Sequence, residues 1–378
     1  MNAKWCITVF ALLLTFGWSN LLLAQVDLKN EVAYNFIIDK KIDCTTVKSQ
    51  DNTGTCWSFA TASFLESELL RKGKGSHDLS EMYVVRNIYR DKARNYVLRQ
   101  GKANFSQGSL SHDLINVVQR HGMVPESVYS GKLEGETRHD HSEMATVLKG
   151  MLDGVLKRKR LSAKWPLAFD KILDVYLGEA PKQFTYQGRD YTPKSFVESM
   201  DIKSKDYVNI SSYVHHPFYE QFILEIPDNY SNGSFYNVPI DELMAIMEYA
   251  IGKGYSVAWD GDVSEKGFSA KNGIAILPKD PKREDLFVEP GEEVKVSQEM
   301  RQETFESYST TDDHLMHLTG TAKDKNGTRY FLIKNSWGEI SDYKGFLYMS
   351  EAYAKLKTVS IMVHKDAIPA DIAKKMLQ

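Results

Sequence analysis

The spacing of hydrophobic residues changes from a helical period early in the chain to strand-like runs near its end. In CWSFATASFLESELLRKGKG, residues 56–75, apolar and small residues recur with a helical period and two glycines close the segment. From about residue 255 the runs YSVAWDGDV, HLMHLTGTA, RYFLIKNSW and GFLYMS are typical of strands, and DKNG predicts a hairpin turn. We therefore expect an α+β fold, with an N-terminal helical part and a C-terminal antiparallel sheet.

The composition suits a buried core and argues against charged polymers as partners. The 378 residues are 42% hydrophobic, which is enough for one large domain or two closely packed ones. The formal net charge of −3 gives no sign of binding to nucleic acid or to an anionic membrane. The basic run at 157–160 is interpreted as a solvated helix face rather than a nucleic-acid patch.

Residues 1–24 have the pattern of a secretory signal peptide. A positive residue precedes a mostly apolar stretch, which ends at the small residue Ala24. An uncleaved membrane anchor is the alternative, but Gly17, Ser19 and Asn20 interrupt the apolar stretch. We expect cleavage near Ala24 and export of residues 25–378 to the periplasm or the exterior.

Two cysteines, Cys44 and Cys56, follow that segment, whereas Cys6 lies inside it. A bridge between Cys44 and Cys56 is conceivable in an exported protein. Two thiols do not make a disulfide scaffold, and a bridge would silence the better candidate for catalysis. We expect both thiols to be free.

Cys56 is placed to act as a nucleophile. It opens the predicted helix, where unpaired N–H groups and the helix dipole favour a thiolate. The alternative is an inert buried cysteine, which is common. Gln50 lies six residues upstream across a turn, so its amide and the Cys56 N–H are candidates to bind an oxyanion. Trp57 follows directly as a supporting residue.

Two histidines open one of the predicted strands, at His314 and His317. Residues three apart on a strand face opposite sides, so only one ring is expected to face the helix that carries Cys56. The same geometry is poor for a metal pair, and no third ligand stands out. We expect no metal and no cofactor.

Asn335 ends the next strand, in the run KNSWG. An amide oxygen there can accept from an imidazole N–H and so fix the tautomer and direction of the ring. Trp337 can cover that hydrogen bond and keep water away. The alternative is a strand-end turn with a buried tryptophan.

In this order the segments resemble the papain superfamily of cysteine peptidases. SQDNTGTCWSFAT resembles its nucleophile segment, DDHLMHLTG its histidine strand and IKNSWGEISDYKGFLYMS its asparagine segment. Thr53 and Thr55 replace the first half of the usual nucleophile signature, and the partner cysteines of the usual bridges are absent. This departure favours the bleomycin hydrolase and aminopeptidase C branch, which FSQGSLSHDLINVVQRHGMVPESVY also resembles.

The resemblance implies a two-lobed papain-like fold and a role for each site residue. The helical lobe is expected at about 45–125, a family-specific insertion at 126–235, the β-rich lobe at 236–365 and a tail at 366–378. The implied roles are nucleophile for Cys56, acid and base for His314, orienting group for Asn335, oxyanion donor for Gln50, and a substrate-binding edge at Gly108 and Ser109. Leu315 is larger than the small residue that often follows this histidine in the family.

The resemblance also implies a peptide-cleaving activity and an assembly. In this branch the C-terminal carboxylate lies in the cleft and holds the free amine of the substrate, and the chains form a hexamer around an internal chamber. The ending VHKDAIPADIAKKMLQ has no evident counterpart of the longer family tail. An aminopeptidase is therefore the first expectation. An endopeptidase or dipeptidyl peptidase with an open cleft is the second, and a catalytically silent peptide-binding homologue is the third.

Overall fold

The computed structural model describes residues 34–376, so the predicted signal peptide lies outside the described residues. The helices in this range are α1 (Cys56–Arg71), α2 (Glu81–Leu98), α3 (Ser111–His121), α4 (Ser142–Leu156), α5 (Trp165–Leu177), α6 (Pro193–Met200), α7 (Ile240–Gly252), α8 (Gln298–Glu306), α9 (Glu351–Lys357) and α10 (Ala370–Met376). The strands are β1 (Ile37–Lys41), β2 (Phe184–Tyr186), β3 (Arg189–Tyr191), β4 (Tyr207–Ser211), β5 (Gln221–Ile223), β6 (Ser234–Asn237), β7 (Val257–Gly261), β8 (Phe268–Ser269), β9 (Ile274–Ala275), β10 (His314–Lys323), β11 (Arg329–Lys334), β12 (Phe346–Ser350) and β13 (Thr358–His364).

One large sheet runs in the order β5-β6-β4-β13-β7-β10-β11-β12-β9-β8, with β1 also paired to β10, while β2 and β3 form a separate hairpin. The α+β prediction is confirmed. The sheet is not wholly antiparallel, because β4 pairs with β6 and β12 with β9 in parallel. Both parallel pairs join strands separated by long connections, which a parallel arrangement requires.

The predicted insertion divides between the two parts of the fold. Its first half forms α4, α5 and α6, which pack with the N-terminal helices in the first hydrophobic core. Its last part, the aromatic segment from 207 to 237, supplies β4, β5 and β6 and extends the large sheet. The expected boundary at 235 therefore falls inside β6.

The two faces of the sheet are covered by different helices. On β10, Leu315 faces the first core, which contains Cys56, whereas Met316 and Leu318 face a second core that contains residues of α7, α9 and α10. This alternation follows from the two-residue period of a strand. The C-terminal helix α10, which buries Met376 in the second core, therefore lies on the face of the sheet away from α1.

Helix α1 runs through the interior. Fourteen of its sixteen residues are buried, so it has no solvent face to produce a strong amphipathic pattern. Small side chains such as Ala60 and Ser63 let it pack closely against β10 and β7. In residues 34–376 no helix is both long and apolar enough to cross a membrane.

Candidate active site

The loop before α1 is fixed to the segment after β11. The backbone N–H of Gln50 donates to the Ser336 carbonyl at 2.8 Å, and the Ser336 hydroxyl donates to Gln50 Oε1 at 2.7 Å. The Gln50 amide nitrogen donates in turn to the Thr53 carbonyl at 2.7 Å. Gln50 is thus held rigidly six residues before Cys56, with one hydrogen of its amide nitrogen not used by Thr53.

Cys56 is the first residue of α1, as predicted from the sequence, and its thiol is free and buried. Burial raises the pKa of the thiol to about 12, N–H groups of Leu315 and Trp57 oppose this, and Asp312 and Asp228 add to it. The sequence led us to expect a lowered pKa. Burial outweighs the helix terminus, so the resting cysteine is a neutral thiol.

His314 is the first residue of β10, and its Nε2 lies 2.8 Å from Asn335 Oδ1. The same oxygen accepts the backbone N–H of Ser336 at 2.7 Å. Because a backbone N–H only donates, this contact identifies the oxygen of the amide, and His314 Nε2 must carry the proton. Nδ1 is then the basic nitrogen of the ring.

The surroundings keep this imidazole neutral. The Trp337 ring lies 4.5 Å from the His314 ring at 30° and covers it. Burial lowers the pKa of His314 to about 4, against the effect of the Asn335 hydrogen bond, and that bond is its one resolved polar partner in the described residues. At neutral pH both side chains are therefore neutral, Cys56 as a thiol and His314 as an imidazole.

His317 is the ring that contacts the middle of α1. Its Nδ1 lies 2.9 Å from the Ser63 hydroxyl, which also accepts from Lys334 at 2.8 Å. Alternation along the strand would by itself have selected His317 as the partner of α1. The position of His314 is instead set by its being the first residue of the strand. The N–H of the next residue, Leu315, approaches Cys56.

The remaining predicted site residues are Trp57, Gly108 and Ser109. The Trp57 indole donates to the Gln107 carbonyl at 3.0 Å and so ties α1 to this loop. The Ser109 hydroxyl is fully buried and donates to Asp113 at 2.7 Å, so the edge can offer a substrate only backbone groups there. A Cβ added to Gly108 would collide with Asp228 Oδ2, so glycine is required for this carboxylate to sit over the loop.

Two groups of titratable side chains were missed in the sequence analysis. His215, His216 and Glu225 bring three ligand atoms within 4.8 Å of one another, and this trio is the group in residues 34–376 that could hold a metal ion. The adjacent histidine pair was the available signal. The second group consists of Asp228, Asp260 and Asp312, of which only Asp312 is near a site residue in sequence.

In this site a helix begins at a cysteine and packs on a strand that begins at a histidine, and the histidine is bound to an asparagine. This arrangement defines the class of papain-like cysteine peptidases. Comparisons with known proteins agree. The model of the Peptidase C1-like family matches residues 102–378, and that of the papain family of cysteine proteases matches residues 35–160. The chain belongs to the Peptidase C1-like family.

The relatives place the chain in the branch predicted from the sequence. Aminopeptidase G of Lactobacillus delbrueckii subsp. lactis is 25% identical and is matched over 89% of this chain and 84% of its own length. Bleomycin hydrolase of Gallus gallus is 24% identical over 88% of this chain and 83% of its own. The crystal structure of PepW from Lactobacillus rhamnosis superposes with a TM-score of 0.74 at 20% identity, covering 92% of this chain and 86% of that one.

Proposed function

We propose that this chain is a cysteine aminopeptidase in which Cys56, His314 and Asn335 act together. The observation that carries the assignment is the hydrogen bond from His314 Nε2 to Asn335 Oδ1, formed under Trp337 at the strand that packs on Cys56. That bond leaves Nδ1 as the base. Relatives named aminopeptidase C, G and W and bleomycin hydrolase support peptide substrates with a free amino terminus.

The reaction we infer is acyl transfer through a thioester. His314 Nδ1 takes the thiol proton of Cys56, and the thiolate attacks the carbonyl carbon of the first peptide bond. The N–H of Cys56, which has no acceptor among the described residues, and the free amide hydrogen of Gln50 stabilise the oxyanion. The imidazolium gives its proton to the leaving amine, and a water activated by His314 then releases the amino acid.

A thiol-directed epoxide tests the nucleophile. Cys44 and Cys56 are the free thiols in residues 34–376, so each is the control for the other. We expect the epoxide to label the wild type and Cys44→Ala and to abolish their peptidase activity, and to leave Cys56→Ala unlabelled and inactive. Full activity of purified Cys56→Ala would contradict the assignment.

An endopeptidase or dipeptidyl peptidase is a second candidate, favoured by one observation. The described end of the chain, helix α10, packs in the second core on the far side of the sheet from Cys56. Hydrolysis of a peptide with a free amine, compared with the same peptide acetylated at its amine, separates the two candidates. Efficient cleavage of the acetylated peptide rules out a strict aminopeptidase.

Export and assembly complete the proposal. The apolar stretch in residues 1–24 supports export with cleavage near Ala24, which the N-terminal sequence of the mature protein tests. The resemblance to the bleomycin hydrolase branch supports a hexamer. Light scattering on the purified protein tests that assembly, and a monomer at micromolar concentration would contradict it.

A further inference from the structure

The peptide group between Thr53 and Gly54 is held at both of its ends. Its carbonyl oxygen accepts a hydrogen bond from the side-chain amide of Gln50 at 2.7 Å, and its N–H donates to Gln107 Oε1 at 2.7 Å. The peptide group is planar and trans, so its C=O and N–H point in opposite directions. The two glutamines therefore hold one rigid plane from opposite sides, immediately before the segment that leads to Cys56.

The orientation of this plane sets the direction of the proposed oxyanion donor. The Thr53 hydroxyl donates to the Gln50 carbonyl at 2.8 Å, so the two residues are joined by both of their side chains. Gln50 Oε1 accepts from the Ser336 hydroxyl and is not available to turn. One hydrogen of the Gln50 amide nitrogen points at the Thr53 carbonyl. Because the amide is planar, the direction of that bond determines where the second hydrogen points.

Gln107 is itself held in place by the interior of the helical part. Its backbone carbonyl accepts the Trp57 indole N–H at 3.0 Å, and the carbonyl of the next residue, Gly108, accepts the Lys92 ammonium. Trp57 and Lys92 are each 1% exposed, so both donors come from well-packed surroundings. The Gln107 side chain also packs on Gly54, where an added Cβ would lie 3.0 Å from Gln107 Cβ. The residue that accepts the Gly54 N–H therefore has a defined position.

Gln107 contacts the chain on both sides of the nucleophile. Its side chain binds Gly54, two residues before Cys56, and its backbone binds Trp57, one residue after it. These bonds fix the start of α1 against the loop that precedes α3. Because Gly54 is exposed, water can solvate its N–H when the glutamine is removed. The hydrogen bond from Gly54 to Gln107 therefore contributes more to the direction of the peptide group than to the stability of the fold.

We propose that Gln107 is a positioning residue, which fixes the peptide group before Gly54 and thereby directs the free amide hydrogen of Gln50 at the oxyanion. The inference rests on the proposed function, because it needs an oxyanion formed by attack of Cys56 on a peptide carbonyl. In this mechanism Gln107 does not touch the reacting atoms. Oxyanion stabilisation depends on donors that already point at the position of the developing charge, so an error in their direction lowers kcat and leaves substrate binding unchanged.

Steady-state kinetics of two substitutions at residue 107 give the first test. Gln107→Leu removes the acceptor and keeps most of the side-chain volume. We expect it to lower kcat about 5- to 30-fold with KM within about twofold of the wild type, because a misdirected donor loses part of the effect of a deleted one. Gln107→Glu keeps an acceptor oxygen and should have a kcat at least about threefold above that of Gln107→Leu. Gln119→Leu, at an exposed position of α3, is the matched control and should leave kcat and KM unchanged.

A double-mutant cycle with Gln50 tests how Gln107 acts. If Gln107 acts through the Gln50 amide, Gln107→Leu should change kcat less than about twofold in an enzyme that already carries Gln50→Ala. A residue that only supports the fold would instead lower kcat by the same factor in both backgrounds. Urea unfolding of the single and double variants accompanies the kinetics. We expect the unfolding midpoint of Gln107→Leu to stay close to that of the wild type, since water replaces the lost acceptor.

Three results overturn the inference. They are an unchanged kcat in Gln107→Leu, equal effects of that substitution with and without Gln50→Ala, and a rise in KM at constant kcat, which would make Gln107 a contact of the substrate. If Gln107→Leu fails to fold, Gln107→Asn takes its place in the cycle, because its shorter side chain withdraws the acceptor by about 1.5 Å, one carbon–carbon bond. Equal effects in an enzyme whose hydrolysis depends on Cys56 remove this inference alone. Absence of any Cys56-dependent hydrolysis by the wild type overturns the proposed function and the inference with it.

Discussion

Replacing Asn335 with alanine isolates the hydrogen bond that orients the base in the proposed mechanism. The change removes the one acceptor shared by His314 Nε2 at 2.8 Å and the Ser336 N–H at 2.7 Å, both in a buried site. Each donor left unsatisfied costs about 1–3 kcal/mol. The unfolding free energy should therefore fall by about 2–6 kcal/mol, less where water enters.

The catalytic loss has a separate cause. Without Asn335 the proton is free to move from Nε2 to Nδ1, and the ring is free to rotate under Trp337, so only part of the population has a base directed at Cys56. We expect kcat/KM to fall about 30- to 300-fold, which corresponds to about 2–3.4 kcal/mol of lost transition-state stabilisation. Asn335→Asp keeps an acceptor at the same place and should recover part of the loss. It should also move the acid limb of the pH profile upwards, because a carboxylate favours the imidazolium.

The assay is kcat/KM for a free-amine substrate from pH 4.5 to 9, with urea unfolding of each variant. Asn326→Ala, in the exposed turn between β10 and β11, is the matched control and should leave both measurements unchanged. If Asn335→Ala is folded and its kcat/KM stays within about threefold of the wild type, the role given to this residue is wrong.

Three further predictions follow from other contacts. Gly108→Ala should lower the free energy of unfolding, because the added Cβ meets the Asp228 carboxylate, whereas Gly150→Ala, with open space around it inside α4, should raise it by up to about 1 kcal/mol. Equal unfolding free energies of the two variants in urea would contradict this. Gln50→Ala should lower kcat about 10- to 100-fold with little change in KM, and an unchanged kcat would remove it from the oxyanion site. Burial lowers the pKa of His139 and of His141 to about 4, so the unfolded chain binds protons in a pH range where the folded chain does not. The free energy of unfolding should therefore fall as the pH drops from about 6.5 to 4, by about 1.4 kcal/mol per pH unit for each histidine. Urea unfolding should show a smaller slope of this free energy against pH in His141→Gln.

Local chemistry made part of this architecture predictable. The glycine-bounded helical pattern located α1 and its start at Cys56, and DKNG located the turn between β10 and β11. The order of Gln50, Cys56, His314 and Asn335 indicated the class of enzyme, because this chemistry needs those groups together whatever the distance between them in sequence.

Long-range packing decided the features that the sequence did not reveal. Asp228 and Asp260 carry no local pattern. Asp228 lies over Gly108 because its loop closes there, and Asp260 lies beside Leu315 because β7 pairs with β10. The inclusion of β4, β5 and β6 in the large sheet was hidden for the same reason, since they join it through the pairing of β4 with β13, which lies more than a hundred residues later. The raised pKa of Cys56 depends on how completely the two parts of the fold exclude water, and no spacing rule expresses that.

The position of β13 in the sheet bears on when, during synthesis of the chain, the active site can form. This strand, the last in the described residues, inserts between β4 and β7, so the middle of the sheet stays open until β13 has been synthesised. Pairing of such distant segments is also intrinsically slow. A nascent or truncated chain that already carries Cys56 therefore lacks the framework that holds His314 against it. The topology therefore couples completion of the sheet to the synthesis of β13.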